Sequence, residues 1–176
     1  LVTGATGGVG SLAVDMLAGR GYEVAALTGK RSEEDYLRKI GARQILLRDE
    51  LDFGKRPMEK AQWAGAIDNL GGEYLTWLTR TMSYGGNIAS IGLAASHKLE
   101  TTVIPFILRA VCLLGINSVD TPRALRLAVW SRIAGDLKPQ HLERIGSRTI
   151  RFDDLPDAFQ AYLDGTVTGR TVFEIQ

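Results

Sequence analysis

With 176 residues, 45% of them hydrophobic and 23% charged, the chain has the composition of an ordinary globular domain with one substantial core, and not that of a disordered or fibrous protein. A formal net charge of +1, with no basic run longer than Lys30–Arg31, excludes the strong field that a nucleic-acid or anionic-membrane partner requires. One cysteine excludes an intrachain disulfide framework and favours a reducing compartment, the cytoplasm.

Leu1 to Thr3 read as the tail of a buried strand, and GATGGVG after it reads as a glycine turn opening a helix. Gly4, Gly7, Gly8 and Gly10 carry no side chain to block a tight turn, so backbone amides can approach an anion. From Val9 onward, Leu12, Ala13, Met16 and Leu17 recur at helical spacing, which brings a helix N-terminus and its free N–H groups to the turn. The turn is expected to hold the diphosphate of a dinucleotide. Its letters match GxGxxG only in part, with Ala5 in the first slot, Gly7 in the second and Gly10 in the third. TGxxxGxG and GxxGxxG fit the same residues, so the spacing alone selects no family. A turn that merely packs helix on strand is the plain alternative.

A second strand is predicted over Glu23–Leu27. An NAD-binding chain usually places a carboxylate at the end of this strand to meet the ribose. Here Thr28, Gly29, Lys30 and Arg31 follow instead, a hydroxyl, an open backbone and two cations that suit the 2′-phosphate of NADP(H). A solvated pair of surface cations gives the same letters.

Ser32 followed by Asp35 is expected to cap a helix that Gly41 closes. Further strands over Gln44–Leu47, Ala64–Asp68, Asn87–Ile91 and Cys112–Ile116 bring the number to six, and Thr121–Pro122 is expected to open a helix running to about Gly135. This alternation predicts an α/β Rossmann fold, doubly wound, with a six-stranded parallel sheet and helices on both faces. The glycine corners Leu70–Gly72 and Gly85–Gly86 are placed where loops pass beneath a cofactor, or are plain turn chemistry. Cys112, inside FILRAVCLLGI, reads as a small buried hydrophobe. His97 and His141 lie far apart in polar segments, so no metal site is expected. No apolar run reaches the length of a membrane span.

Past Leu137 the rhythm changes to a polar stretch, a short strand TIRF, a capped helix DDLPDAFQAYLDG and a last strand in GRTVFEIQ. Residues 1–137 are therefore read as the nucleotide-binding domain and 138–176 as a C-terminal segment extra to its sheet. The last strand, Thr171–Ile175, is expected to pair with Thr149–Phe152 or to be shielded by a neighbouring chain, since its edge is otherwise open. The apolar run Val103–Ile116 fits either a core strand with its covering helix or a contact between two copies. Because the chain opens on the end of a strand without Met, it is expected to be part of a longer protein.

The motifs TGATGGVG, LTGK, EEDYLRKIGA, RDE, WAGAIDNLGG, YGGNIASIGLA, TTVIPFILRAVCLLGINSV and GRTVF, in this order, resemble the medium-chain dehydrogenase/reductase superfamily. More narrowly they resemble its zinc-free quinone oxidoreductase branch, of the acrylyl-CoA reductase type. The resemblance covers nearly the whole chain and implies that a GroES-like catalytic domain precedes it, to which residues 138–176 return. It implies NADPH-dependent reduction of the carbon–carbon double bond of acrylyl-CoA or a related enoyl thioester, with quinones as poorer substrates, and pairing of two copies through the sixth strand.

Carried over residue by residue, the resemblance implies diphosphate contacts at Thr6, Gly7, Gly8 and Val9, with Gly10 closing the motif. It implies 2′-phosphate contacts at Thr28, Gly29 and Lys30, and places Arg48 beside the adenine and its phosphate. Leu93, Ile107, Ser118 and Arg170 match positions along the cofactor channel, though Leu93 and Ile107 read equally as core and Arg170 as a surface charge. No catalytic residue is identified. A short-chain dehydrogenase is excluded, because none of the tyrosines has Lys four residues on. A non-catalytic NADP-binding sensor, or a nucleotide-binding fold used only for assembly, would need no more than the glycine turn and its cation.

Overall fold

The computed structural model describes residues 1–175. Six strands, β1 (Val2–Thr3), β2 (Val24–Thr28), β3 (Ala42–Leu47), β4 (Trp63–Asp68), β5 (Met82–Ser90) and β6 (Cys112–Gly115), form one parallel sheet in the order β3-β2-β1-β4-β5-β6. The order reverses between β1 and β4, and the crevice at the carboxyl ends there is where an open α/β sheet receives a ligand.

Alternation along each strand feeds two cores. Val24 and Ala26 of β2 join Val2, Val14, Leu37 and Ile40 under α1 (Gly8–Gly19) and α2 (Glu34–Lys39). Ala25 and Leu27 of the same strand point the other way, to Leu75, Leu78 and Ile88 under α3 (Gly72–Thr81) and α4 (Ile104–Arg109). Fully buried side chains such as Leu78 and Ile88 contribute roughly 1.5–3 kcal/mol each. The expected doubly wound α/β sheet is the one observed.

Several details differ from the sequence reading. The entry to α2 is a 3-10 turn over Arg31–Glu33, with no side-chain cap from Ser32. The turn itself supplies the bond, Glu33 N–H to the Lys30 carbonyl at 3.1 Å. Thr121 likewise caps nothing; its hydroxyl donates to the Asn117 carbonyl, 2.8 Å away, and α5 (Arg123–Ala134) begins after Pro122. Gly85–Gly86 lies inside β5, toward its beginning, at the end of the sheet remote from the glycine turn, so it passes beneath no cofactor. Cys112 is exposed, not buried. It opens an edge strand, and α5 buries none of its residues, leaving Ala89 and Leu114 to line an open cavity of about 850 Å³ on that face.

The C-terminal segment has its own architecture. After α6 (Leu142–Ile145), β7 (Arg148–Arg151) pairs in parallel with β8 (Thr171–Glu174), and α7 (Leu155–Leu163) connects them. The last strand therefore finds the expected partner within the chain. Asp154 precedes α7 but makes no side-chain cap bond, the entry again being a 3-10 turn, Phe152–Asp154. Ile145 joins the α1 core, which seats the segment on the α1 face of the sheet.

Candidate functional site

The glycine turn follows β1 directly. Gly4 takes φ +58°, a left-handed conformation that glycine adopts without strain, and the Gly7 amide donates to its carbonyl at 3.0 Å. Ser11 fastens the first turn of α1 from within, its hydroxyl donating to the Ala5 carbonyl at 3.1 Å. A Cβ on Gly10 would stand 2.8 Å from the Ala5 Cα and against the Gly4 carbonyl, so this glycine lets the helix pack on the turn backbone. A Cβ on Gly8 would instead enter the side chain of Arg170. The surface above Gly7 and Gly8 is thus bare backbone roofed by one guanidinium, with Val9 exposed beside it.

Thr6 and Thr28 are both buried, their hydroxyl oxygens 3.3 Å apart, and Thr28 Oγ1 also accepts the Lys30 amide at 3.0 Å. Thr28 thereby shapes the end of β2. Gly29 follows, and a Cβ there would meet the guanidinium of Arg48, which begins a 3-10 turn after β3 and packs over the glycine. Lys30 Nζ donates to the Val167 carbonyl at 2.6 Å and to Thr168 Oγ1 at 3.3 Å. Its ammonium is pushed below the ordinary lysine range mainly by burial, with Glu33 opposing and Arg48 adding to the shift. Arg31, the second cation of the pair, is turned away and bonds Glu50 at 2.7 Å and Asp49 at 3.4 Å in solvent.

Gly169 donates to the Thr6 carbonyl at 2.8 Å, and the Arg170 amide to that of Ile145 at 2.7 Å. The C-terminal segment therefore crosses the glycine turn and brings Arg170 over Gly8, while Arg48 stands at Gly29 beside Lys30. Lys30 and Arg48 stand at this corner with Glu33 near the ammonium, and no carboxylate ends β2. The arrangement fits a dinucleotide with an extra phosphate, since bare amides and a helix N-terminus lie beneath Arg170 and a separate pair of cations, Lys30 and Arg48, stands at the end of β2.

The crevice at the carboxyl ends of β4, β5 and β6 is less enclosed. Leu93 is 66% exposed and lines a cavity of about 490 Å³ with Gly71, Leu75, Ile91 and Ile116, at the carboxyl ends of β4, β5 and β6. Ile107 is 71% exposed on α4, and Ser118 is exposed beyond β6, its carbonyl accepting from Arg126; neither lines this cavity. The alternative reading of Leu93 and Ile107 as core residues does not hold. Sequence reasoning also missed the buried hub beneath the crevice. Asp68 accepts from the Thr3 hydroxyl at 2.7 Å and the Gly71 amide at 2.9 Å, while Asn69 Nδ2 donates to the Thr3 carbonyl at 2.7 Å. An aspartate ending a buried strand was the available signal, because such a carboxylate needs partners.

The model of the zinc-binding dehydrogenase family matches residues 8–133. An acrylyl-CoA reductase, AcuI, from Ruegeria pomeroyi is 49% identical over 99% of the chain and 53% of its own length. The crystal structure of the yhdH oxidoreductase from Salmonella enterica in complex with NADP superposes with a TM-score of 0.94 at 45% identity, over 99% of this chain and 53% of that one. The Bacillus subtilis yhfP structure, with NAD bound, gives 0.94 at 44%, again over 99% and 53%. The chain spans about half the length of the curated relatives it matches. Zinc is implied by the family's description, but no three His, Cys, Asp or Glu side chains gather as a metal set among the described residues, and His141 is engaged by Asp15. A family match across most of the chain, with near-half identity along all of it, makes this chain a member of the zinc-binding dehydrogenases, within the medium-chain dehydrogenase/reductase superfamily.

Proposed function

We propose that the chain is the NADPH-binding portion of a reductase acting on the carbon–carbon double bond of acrylyl-CoA or a related enoyl thioester, with quinones as poorer substrates. The observation that carries this reading is the corner formed by Gly29, Lys30 and Arg48, where two cations stand at the end of β2 and no carboxylate does. The relatives' names supply the reaction class. NADPH, when bound, supplies the hydride, and this chain's residues orient it. Thr6, Gly7, Gly8, Val9 and Gly10 form the diphosphate turn, Thr28, Gly29, Lys30 and Arg48 the 2′-phosphate corner, and Arg170 the roof. Leu93 is assigned to the nicotinamide end through the cavity at the carboxyl ends of β4, β5 and β6, while Ile107 and Ser118, which do not line that cavity, are assigned to the cofactor channel by the resemblance alone.

Residues 1–137 form the nucleotide-binding domain in this reading, and 138–176 continue to a GroES-like catalytic domain that contributes the rest of the substrate pocket. Two copies pair through β6, and the protein works in the cytoplasm on a small-molecule substrate, with no nucleic-acid or membrane partner. A fluorescence titration of the chain with NADPH and NADH tests the cofactor assignment. Clear preference for NADPH is expected, and equal affinities would remove the assigned 2′-phosphate corner. NADPH oxidation by the full-length protein with acrylyl-CoA, crotonyl-CoA and a quinone, side by side, tests the reaction. No thioester-dependent oxidation would favour a sensor.

A further inference from the structure

Asp15 lies in the middle of α1, 1% exposed, where an ionised carboxylate is costly unless it is hydrogen-bonded. Both of its oxygens are satisfied by one residue far along the chain. Oδ2 accepts the His141 backbone amide at 3.0 Å and Oδ1 faces the ring Nδ1 at 2.8 Å. A carboxylate only accepts, so Nδ1 carries the proton. His141 immediately precedes α6, whose Ile145 carbonyl in turn receives the Arg170 amide at 2.7 Å. The Arg170 side chain then lies over Gly8, at the N-terminus of the very helix that carries Asp15.

We propose that Asp15 and His141 are positioning residues for the cofactor, a latch that fixes α6 on α1 and through it sets Arg170 over the diphosphate turn. The latch closes a loop of contacts, α1 to His141 to α6 to Arg170 and back to α1. The guanidinium thus moves with the helix whose amides it serves. Burial of Ile145 holds α6 against the core, but an apolar contact fixes neither its rotation nor its height along α1. The two directional bonds to one carboxylate do.

This inference rests on the NADPH reading above, and a double-mutant cycle on NADPH affinity separates the two. In the 176-residue chain, Arg170→Ala is expected to raise the NADPH Kd about tenfold, as for loss of one charge-assisted contact. Asp15→Ala and His141→Ala are each expected to raise it about fivefold, while Asp15/Arg170 and His141/Arg170 double alanine variants should bind no more weakly than Arg170→Ala alone. Asp15→Asn can still accept the His141 amide and bond the ring in its other tautomer, so it should stay within about twofold of the parent. Effects that multiply in the double variants would overturn the latch, as would unchanged affinity in Asp15→Ala. Should Asp15→Ala not fold, as read by its thermal melt, His141→Gln, which keeps the backbone amide, takes its place in the cycle. A parent chain that binds no NADPH would remove the cofactor reading itself.

Discussion

Lys30 does two jobs that pull in different directions. Its ammonium holds the Val167 carbonyl and the Thr168 hydroxyl, and it stands beside Gly29 and Arg48 where a 2′-phosphate would lie. A hydrogen bond to a charged group is worth about 1.5–3 kcal/mol, so Lys30→Ala should weaken NADPH binding by roughly 10- to 100-fold and leave NADH within about threefold. Parallel titrations check this, and an equal loss for both would make Lys30 a strap for the C-terminal segment alone. Its lowered ammonium pKa gives a pH dependence of definite sign. In the window from the folded value up to the ordinary 10.5, the unfolded chain binds more protons at this residue, so its contribution to stability rises with pH. NADPH affinity falls across the same window as the cation is lost. A titration series on the parent and Lys30→Ala should therefore show an alkaline decline that begins below 10.5 in the parent only.

The same corner separates glycines of two kinds. Gly10→Ala drives a Cβ into the Gly4 and Ala5 backbone, which cannot step aside, and overpacking of this sort costs about 1–3 kcal/mol. Gly8→Ala meets only the flexible Arg170 side chain. Thermal melts should show Gly10→Ala down by several degrees and Gly8→Ala near the parent, while NADPH binding weakens in Gly8→Ala because the roof is displaced. Matching melts for the two would mean that the turn is looser than its contacts suggest.

At the scale of elements, β2 was legible because VAALT is buried along its whole length, as a strand covered on both faces of a parallel sheet is, whereas β4 and β5 showed only short apolar stretches, Ala66–Ile67 and Ile88–Ala89, beside glycine and polar residues. The helix entries were not legible. Ser32, Thr121 and Asp154 have the letters of a cap, but 3-10 turns at α2 and α7, and a hydroxyl drawn back to Asn117 at α5, use other bonds for the same purpose. Burial was misread where it depends on what lies across from a strand. FILRAVCLLGI is apolar enough for a core, yet β6 is the sheet's edge and α5 leaves its outer face open, so Cys112 meets solvent. That exposure gives the proposed pairing through β6 a direct readout. Native alkylation of Cys112 should be fast at low protein concentration and slow as the chain is concentrated, in step with a dimer seen by light scattering. Fast alkylation at every concentration would leave β6 unpaired.

At the scale of the whole molecule, the part of the candidate site that the sequence could suggest was the part that lies within one stretch of chain. Gly7, Gly8 and the run Thr28–Lys30 lie in local spacing, so a strand, a turn and a missing carboxylate marked them as candidates, with a packing turn and a solvated cation pair as the plain alternatives. Arg48 over Gly29, Arg170 over Gly8 and Lys30 on Val167 are contacts between segments far apart in sequence, and nothing in the local pattern announces them. Residues 138–175, though extra to the sheet, are tied to it at several points. That segment is bonded to the glycine turn through Gly169 and Thr6, to the end of β2 through Lys30, and to the middle of α1 through His141. A ligand that fills the corner touches both parts, and it should stabilise the bonds between them as well as the turn it rests on. Hydrogen exchange of the chain with and without saturating NADPH tests this. Protection is expected at residues 4–11 and 28–31 and, to a similar degree, at 141–146 and 167–172, with the second set losing its protection in Arg170→Ala while the first retains most of its own. Protection limited to residues 4–31 would show that the cofactor seat belongs to the Rossmann domain alone and that the C-terminal segment lies beside it without taking part.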